Sequence, residues 1–269
     1  RGVQRIAEGD LDTVITEDIG VFEPFKEQLT QIRTGLKKAV NEEVKSQRMK
    51  TELITNVSHD LKTPLTSIIN YVDLMKRENP TDPKIQEYLR ILDEKSQRLK
   101  VLTEDVVEAS KASTGNIKLE MNDIDFVEMV QQVIGEFEEK FQEKNLTMMV
   151  HFTDDPSIIY ADGQRMWRVL ENVFGNVVKY AMEGTRVYAE ISNRNKKVTF
   201  SLKNISAQPL NISADELTER FIRGDVARNT EGSGLGLSIA KSLTELQGGE
   251  FKLYLDGDLF KVTIEFKMK

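Results

Sequence analysis

The sequence predicts a multidomain protein: an all-α helical hairpin that forms a dimeric four-helix bundle, followed by an α+β sandwich. Three observations predict it. Apolar residues recur every three or four positions from Phe22 to Met75, stop at Asn79-Pro80-Thr81-Asp82-Pro83, and resume as far as Ala109. The small polar stretch Ser110 to Asn116 then closes the pattern. Beyond it, strand-like alternation and helix-like spacing interleave to Lys269.

Residues 1–20 read as a polar connector with isolated apolar anchors such as Ile6, Leu11, Val14 and Ile15. From Phe22, the set Phe25, Leu29, Ile32, Leu36, Val40 and Val44 recurs near 3.5 residues, a coiled-coil-like seam that needs a partner surface. Leu53, Val57, Leu61, Leu65, Ile68, Val72 and Met75 continue it as one apolar stripe. Two prolines at 80 and 83 end the helix. A second amphipathic helix carries Ile85, Leu92, Leu99 and Val106, seconded by Tyr88, Leu89, Leu102 and Ala109. Two long helices joined by a short turn make an antiparallel hairpin, and pairing two hairpins buries the remaining stripes. A homodimer is the natural burial scheme, since a monomer would leave a long apolar face in water.

In the second part, Ile117, Leu119 and Met121 alternate like a strand, and Asp125 caps a helix bearing Val127, Val130, Ile134, Phe137 and Phe141. Strands are expected at Leu146 to Phe152 and Ser157 to Tyr160, and a helix from Asp162 to about Met182. Val187-Ala189-Ile191 and Val198-Phe200-Leu202 form a strand pair around Asn193-Arg194-Asn195. Asp215 to Phe221 reads as a short helix and Leu235 to Leu246 as a longer one. A hairpin turning at Asp256-Gly257-Asp258 closes the chain. Mostly hairpin connections imply a mixed sheet with helices on one face.

Composition excludes several functions. A net charge of -7 argues against wholesale nucleic-acid binding. Zero cysteines remove disulfides, thiolate metal sites and cysteine catalysis. No apolar run reaches the roughly 18 residues of a membrane span, and no signal peptide is present, so this stretch is expected to be soluble.

Three clusters carry candidate chemistry. The first is Ser58-His59-Asp60-Leu61-Lys62-Thr63-Pro64-Leu65. His59 is two positions from Val57 and Leu61, about 200° around the helix from each, and is expected to face away from the seam. Pro64 cannot donate to the Asp60 carbonyl, which frees the helix to bend there. Thr63 shares the face of His59 one turn on. A solvated helix with an incidental histidine has this pattern; so does a phosphate-accepting imidazole beside a carboxylate, because neutral imidazole is nucleophilic near neutral pH. The second cluster is Asn172, Asn176 and Lys179, at i, i+4 and i+7 on one helix face, opposite Met166, Leu170, Val173 and Val177. It is either a solvated edge or a set in which an amide oxygen ligates Mg²⁺ and a lysine faces phosphates. The third is Gly232-Ser233-Gly234-Leu235-Gly236-Leu237, alternate glycines opening a helix and letting the backbone approach an anion. Its spacing is not that of the dinucleotide fingerprint. Together the last two clusters point to a nucleoside triphosphate.

These residues, taken in order, resemble the cytoplasmic part of a bacterial HAMP-linked sensor histidine kinase. His59 to Leu65 is similar to the H-box and Asn172 to Tyr180 to the N-box of the Bergerat ATP-binding fold. Glu219 to Asp225 is similar to the F-box, and Gly232 to Leu237 to the G2 box. The resemblance implies three segments: 1–45, the tail of a HAMP linker and signalling helix; 46–112, the dimerisation and phosphotransfer hairpin; 113–269, the catalytic ATP-binding domain. It implies ATP-dependent autophosphorylation of His59 with Asp60 as the base, then transfer to an aspartate on a response regulator receiver domain. Thr63 would place water when the kinase reverses as a phosphatase. Asn176 would ligate Mg²⁺, Asn172 and Lys179 would lie near the phosphates, and Tyr180 near the purine. Arg223 would reach the γ-phosphate across a lid from Asp225 to Glu231, and Gly232, Gly234, Leu235, Gly236 and Leu237 would line the phosphate turn. The parent is expected to be membrane-anchored, with this portion on the cytoplasmic side of the cell membrane.

One departure stands out. The family's G1 box is an aspartate followed by spaced glycines; here the strand ends Lys203-Asn204-Ile205-Ser206-Ala207-Gln208-Pro209. Asn204 holds the aspartate position with a neutral acceptor, weaker by roughly 1 kcal/mol. The alternative is therefore a pseudokinase, a dimeric docking module with impaired ATP binding. A Bergerat-type topoisomerase or chaperone has no use for the His59 hairpin. His151 reads as surface or packing, Trp167 as core edge, and Phe137 with Phe141 as core.

Overall fold

The computed structural model describes residues 23–113, 115, 117–210, 213, 214, 217 and 234–269; within the first helix the side chains of 23–27, 29, 41–53, 55, 56 and 59 are outside the description. The chain divides into two compact units, Arg1–Asn56 and Val57–Lys269. In the first unit the described residues belong to helix α1 (Glu23–Arg77), and Ile32, Leu36 and Val40 of its seam are exposed.

The second unit begins within α1, which runs unbroken through Pro64. Just beyond it, the hydroxyls of Thr66 and Ser67 donate to the carbonyls of Lys62 and Thr63, at 2.8 and 3.3 Å. Asn79, in the left-handed region at φ 46°, turns the chain into α2 (Pro83–Ser113). Lys76 and Asp93 pair across the hairpin.

The single apolar stripe expected on α1 divides into two. Leu65 and Val72 are 4% and 1% exposed, in line with buried Ser58 seven residues earlier, whereas Val57, Leu61, Ile68 and Met75 are 43–48% exposed. On α2, Leu89 is buried while Ile85, Leu92 and Leu99 of the heptad set remain exposed. One stripe closes the hairpin; the other forms a continuous apolar surface of the kind that marks an interaction face.

A strand expected at Ile117 to Met121 instead spans β1 (Met121–Asp125), because pairing with β3 (Ile158–Asp162) begins at the Met121–Asp162 register. Between them lie α3 (Phe126–Glu143), N-capped by Asp125 through Val127 N at 3.0 Å and Glu128 N at 3.2 Å, and β2 (Thr147–Phe152). Then follow α4 (Gly163–Tyr180), β4 (Arg186–Arg194), β5 (Lys197–Ile205), α5 (Gly236–Leu246), β6 (Glu250–Asp256) and β7 (Leu259–Lys267). The β4–β5 turn falls at Asn195 and Lys196, both at positive φ, slightly beyond its expected place. Of the short helix expected at Asp215 to Phe221, only Leu217 is described, and it is helical.

The five-stranded mixed sheet has the order β2-β4-β5-β7-β6, with β2 parallel to β4 and the remaining pairs antiparallel. Alternation decides its faces. Ile191, Phe200 and Ile264 stand side by side, as do Ala189, Leu202 and Val262, all buried. The opposite face carries cross-strand ion pairs, Lys203–Glu190 at 2.8 Å and Lys197–Glu265 at 3.0 Å. Helices α3 and α4 bring Phe126 and Phe174 onto the apolar face, 6.0 and 6.1 Å from Phe200 between ring centroids. Each such aromatic fully buried contributes about 1.5–3 kcal/mol. Phe137 and Phe141 belong to the same core, and Trp167 packs at its edge. His151 is exposed on β2.

Candidate nucleotide and phosphotransfer site

Helix α4 is positioned by its two ends. Asp162 caps it, accepting from Arg165 N at 3.1 Å, and also accepts from Glu120 N at 2.8 Å. Burial disfavours the Asp162 carboxylate, yet the backbone donors of Glu120, Arg165 and Gln164 and the charge of Arg165 hold its pKa below the ordinary value. Gln247, buried just past α5, accepts from Asp162 N at 2.8 Å and donates to Leu243 O at 2.8 Å, tying the start of α4 to the end of α5. At its far end, Ala207 N donates to Tyr180 O and Met182 N to Ile205 O, both at 2.8 Å, setting α4 beside the end of β5.

With Met166, Leu170, Val173 and Val177 buried, α4 turns Asn172, Asn176 and Lys179 to its other side; both asparagines are half-buried and Lys179 is exposed. Asn172 Nδ2 donates to Arg168 O at 2.9 Å. Asn172 Oδ1 lies against the first residue of α5: a Cβ on Gly236 would approach it to 2.9 Å. Gly234 has φ +71°, a conformation glycine adopts freely, and it turns the chain into that helix. Leu235 between them is 1% exposed, and its carbonyl accepts from Ser238 Oγ and Ile239 N, each at 2.8 Å. Leu237 is half-buried against the core. Asn172 and Gly236, more than 60 residues apart in the chain, therefore meet.

Asn204 sits on β5 beside the end of α4, 3% exposed. Its Nδ2 donates to Ile205 O at 3.2 Å, while its buried Oδ1 has no hydrogen-bond partner among the described residues. A buried orphan acceptor costs about 1–3 kcal/mol, which an amino group of a ligand would recover. Tyr180, half-buried, is at the same end of α4.

His59 is helical in α1, and its side chain lies outside the described residues. Asp60 and Thr63 are exposed on that helix. Arg223 and Gly232, with the segments Glu219 to Asp225 and Asp225 to Glu231, also lie outside the described residues. Among the described residues there is no cluster of three His, Cys, Asp or Glu side chains suited to a metal. Half-buried Asn176 presents an amide oxygen, a hard neutral ligand of the type that divalent ions take.

One feature was missed from the sequence: Arg165 and Arg168 on α4 pair with Glu108 and Asp105 on α2. Burial opposes the Arg168 charge, but the hydrogen bond to Glu108 and the charges of Glu108, Asp105 and Glu171 outweigh it and raise its pKa. The available signal was two arginines and two carboxylates, each pair at i, i+3.

Residues 49–115 match the His Kinase A (phospho-acceptor) domain, and residues 161–269 match the histidine kinase-, DNA gyrase B- and HSP90-like ATPase family. The chain belongs to the sensor histidine kinases. Histidine protein kinase SaeS of Staphylococcus epidermidis is 30% identical over 219 residues, 79% of this chain and 62% of that protein. SaeS of Staphylococcus aureus is 29% identical over 242 residues, 87% of this chain and 68% of its relative. The chain thus spans a little under two thirds of the first of these relatives. Full-length ShkA in complex with AMPPNP superposes with a TM-score of 0.69 at 24% identity, covering 81% of this chain and 46% of that one. Histidine kinase ThkA in complex with the response regulator protein TrrA gives 0.59 at 22% identity, covering 85% and 66%. Both likenesses concern the fold: a helical hairpin followed by an ATPase domain with a mixed sheet.

Proposed function

We propose that this chain is the catalytic core of a two-component sensor kinase that transfers the γ-phosphoryl group of ATP to His59 and then to an aspartate of a response regulator. The observation that carries it is the contact of Asn172 with Gly236, with the Asn204 oxygen, unpartnered among the described residues, at the Tyr180 end of the same helix, all on the unit that also contains His59. Residues 1–45 act as a HAMP linker tail and signalling helix, 46–112 as the dimerisation and phosphotransfer hairpin, and 113–269 as the ATP-binding domain. The exposed stripe Val57, Leu61, Ile68, Leu92 and Leu99 supports the homodimer. The complexes of ShkA with AMPPNP and of ThkA with TrrA lend fold-level support to a nucleotide and a receiver-domain partner.

Phosphoryl transfer demands placement and charge neutralisation more than covalent assistance. In the first step the His59 ring nitrogen forms a bond to the γ-phosphorus as the bond to the bridging oxygen breaks and ADP departs. Asp60 holds the proton on the other ring nitrogen. Asn204 Oδ1 accepts from the adenine amino group with Tyr180 near the purine; Lys179, Asn172 and the turn Gly232, Gly234, Leu235, Gly236, Leu237 hold the phosphates. Arg223 reaches the γ-phosphate. Mg²⁺, held through Asn176 Oδ1, would supply neutralisation of the phosphate charge. In the second step the phosphorus–nitrogen bond breaks as a receiver aspartate takes the group, and Thr63 positions water for the reverse, phosphatase reaction. The parent protein is membrane-anchored with this portion in the cytoplasm; no helix among the described residues is long and apolar enough to cross a membrane.

Incubation with γ-labelled ATP and Mg²⁺ tests the reading. Acid-labile, base-stable label is expected, and is lost in His59→Gln and Asn176→Ala while the dimer persists. A folded dimer that takes no label favours the pseudokinase, for which the neutral Asn204 is the motivating observation.

A further inference from the structure

Helix α2 touches both helices that carry the nucleotide-site residues. Asp105, Glu108, Ala109 and Ala112 recur at three- and four-residue spacing near its end and so share one face. Ala109 and Ala112 are buried in the cluster that holds Leu235, and α2 packs on α5. The two carboxylates reach α4 instead. Arg168 forks between them, Nη2 at 2.5 Å from Asp105 Oδ1 and Nε at 3.0 Å from Glu108 Oε2, and Arg165 Nη1 adds a contact to Glu108 Oε1 at 3.1 Å. The Asp105 side chain is only 9% exposed, so the fork is a largely buried charge pair that holds more strongly than one at the open surface. The carbonyl of the same Arg168 receives Asn172 Nδ2, and Asn172 Oδ1 abuts Gly236.

We infer that Arg168 is a positioning residue: by seating α2 on α4 and α5 together it holds Asn172 against the glycine turn, so that nucleotide affinity and the docking of α2 form one linked equilibrium. This rests on the nucleotide reading above. The sign follows from preorganisation, since a site whose two walls are already held together loses less freedom on binding. Linkage makes the effect reciprocal: a docked α2 tightens nucleotide binding, and bound nucleotide tightens the docking of α2.

The test is calorimetric titration of the intact chain with AMPPNP and Mg²⁺, beside amide exchange at residues 105–112 with and without nucleotide. The variants are Arg168→Met, Asp105→Asn with Glu108→Gln, and all three substitutions combined. Arg168→Met removes the guanidinium that bridges Asp105 and Glu108 while Arg165 stays on Glu108, whereas the amide pair leaves α4 untouched, so the two report independently. Each is expected to weaken binding about tenfold, and the combination no further. Exchange at 105–112 should slow on nucleotide addition in the unaltered chain and not in the variants. A merely structural fork would lower the melting temperature and leave both readouts unchanged. Nucleotide binding by the unaltered chain with equal affinity in folded variants overturns the linkage alone. Failure of the unaltered chain to bind nucleotide overturns the functional reading, and the linkage with it.

Discussion

Asn172 and Gly236 meet where α4 passes the start of α5, and the contact leaves no room for a methyl group: a Cβ at Gly236 would stand 2.9 Å from Asn172 Oδ1 and 3.6 Å from its Cγ. Gly236→Ala therefore separates fold from function. The substitution favours the helix by up to about 1 kcal/mol. It also pushes the Asn172 amide off Arg168 O, with an expected loss of nucleotide affinity of about tenfold, or 1.4 kcal/mol. Urea unfolding beside calorimetric titration checks both; affinity unchanged in a well-folded variant would remove Asn172 from the site.

Asn204→Asp is expected to tighten ATP binding about fivefold, because a charged acceptor strengthens the bond to an amino donor by roughly 1 kcal/mol. The same change destabilises the free chain, since it forfeits the donation to Ile205 O and places a charge at a residue 3% exposed. A lower melting temperature that ATP restores is the expected pair of results. No gain in affinity would separate Asn204 from the adenine amino group.

Asp162 links acidity to stability. Its folded pKa is depressed, so its contribution is present above the unfolded value of about 3.9 and fades as pH falls through the folded value. In that window the unfolded chain binds more protons. Asp162→Asn keeps an acceptor for Arg165 N but loses the charge; it should be less stable than the unaltered chain at pH 7, with the gap closing below about pH 4. Chemical denaturation at pH 7 and pH 3 measures it, and a gap that widened on acidification would contradict the assignment.

Thr63 is exposed one helical turn beyond His59. Thr63→Ala should slow dephosphorylation of the receiver domain at least about tenfold while changing autophosphorylation little, as expected for a water-positioning group. Parallel time courses of the two reactions decide it; equal slowing of both would instead point to altered helix packing.

How much of this was legible in the residues depended on whether periodicity carried it. The alternation of Val198, Phe200 and Leu202 and of Val262, Ile264 and Phe266 is local, and the sheet faces followed from it. The Asp125 and Asp162 caps were equally local. On α1, by contrast, the face that closes the hairpin (Leu65, Val72) and the face left exposed (Val57, Leu61, Ile68) share nearly one period, so they merged into one stripe. Ile117 and Leu119 alternate like a strand but have no partner before Met121, which spacing cannot reveal. The approach of Asn172 to Gly236 was readable as two motifs of complementary chemistry. The fork from Arg168 to Asp105, 63 residues away, left only an i, i+3 pair of arginines and one of carboxylates, and spacing does not show that the two pairs meet.

Gln247 gives the site a thermal character of its own. One uncharged side chain clasps the beginning of α4 and the last turn of α5, so neither helix can fray at that corner without releasing the other. Heating should then erase nucleotide recognition in the same transition that melts the sheet, with no cooler stage in which a loosened pocket sits on an intact scaffold.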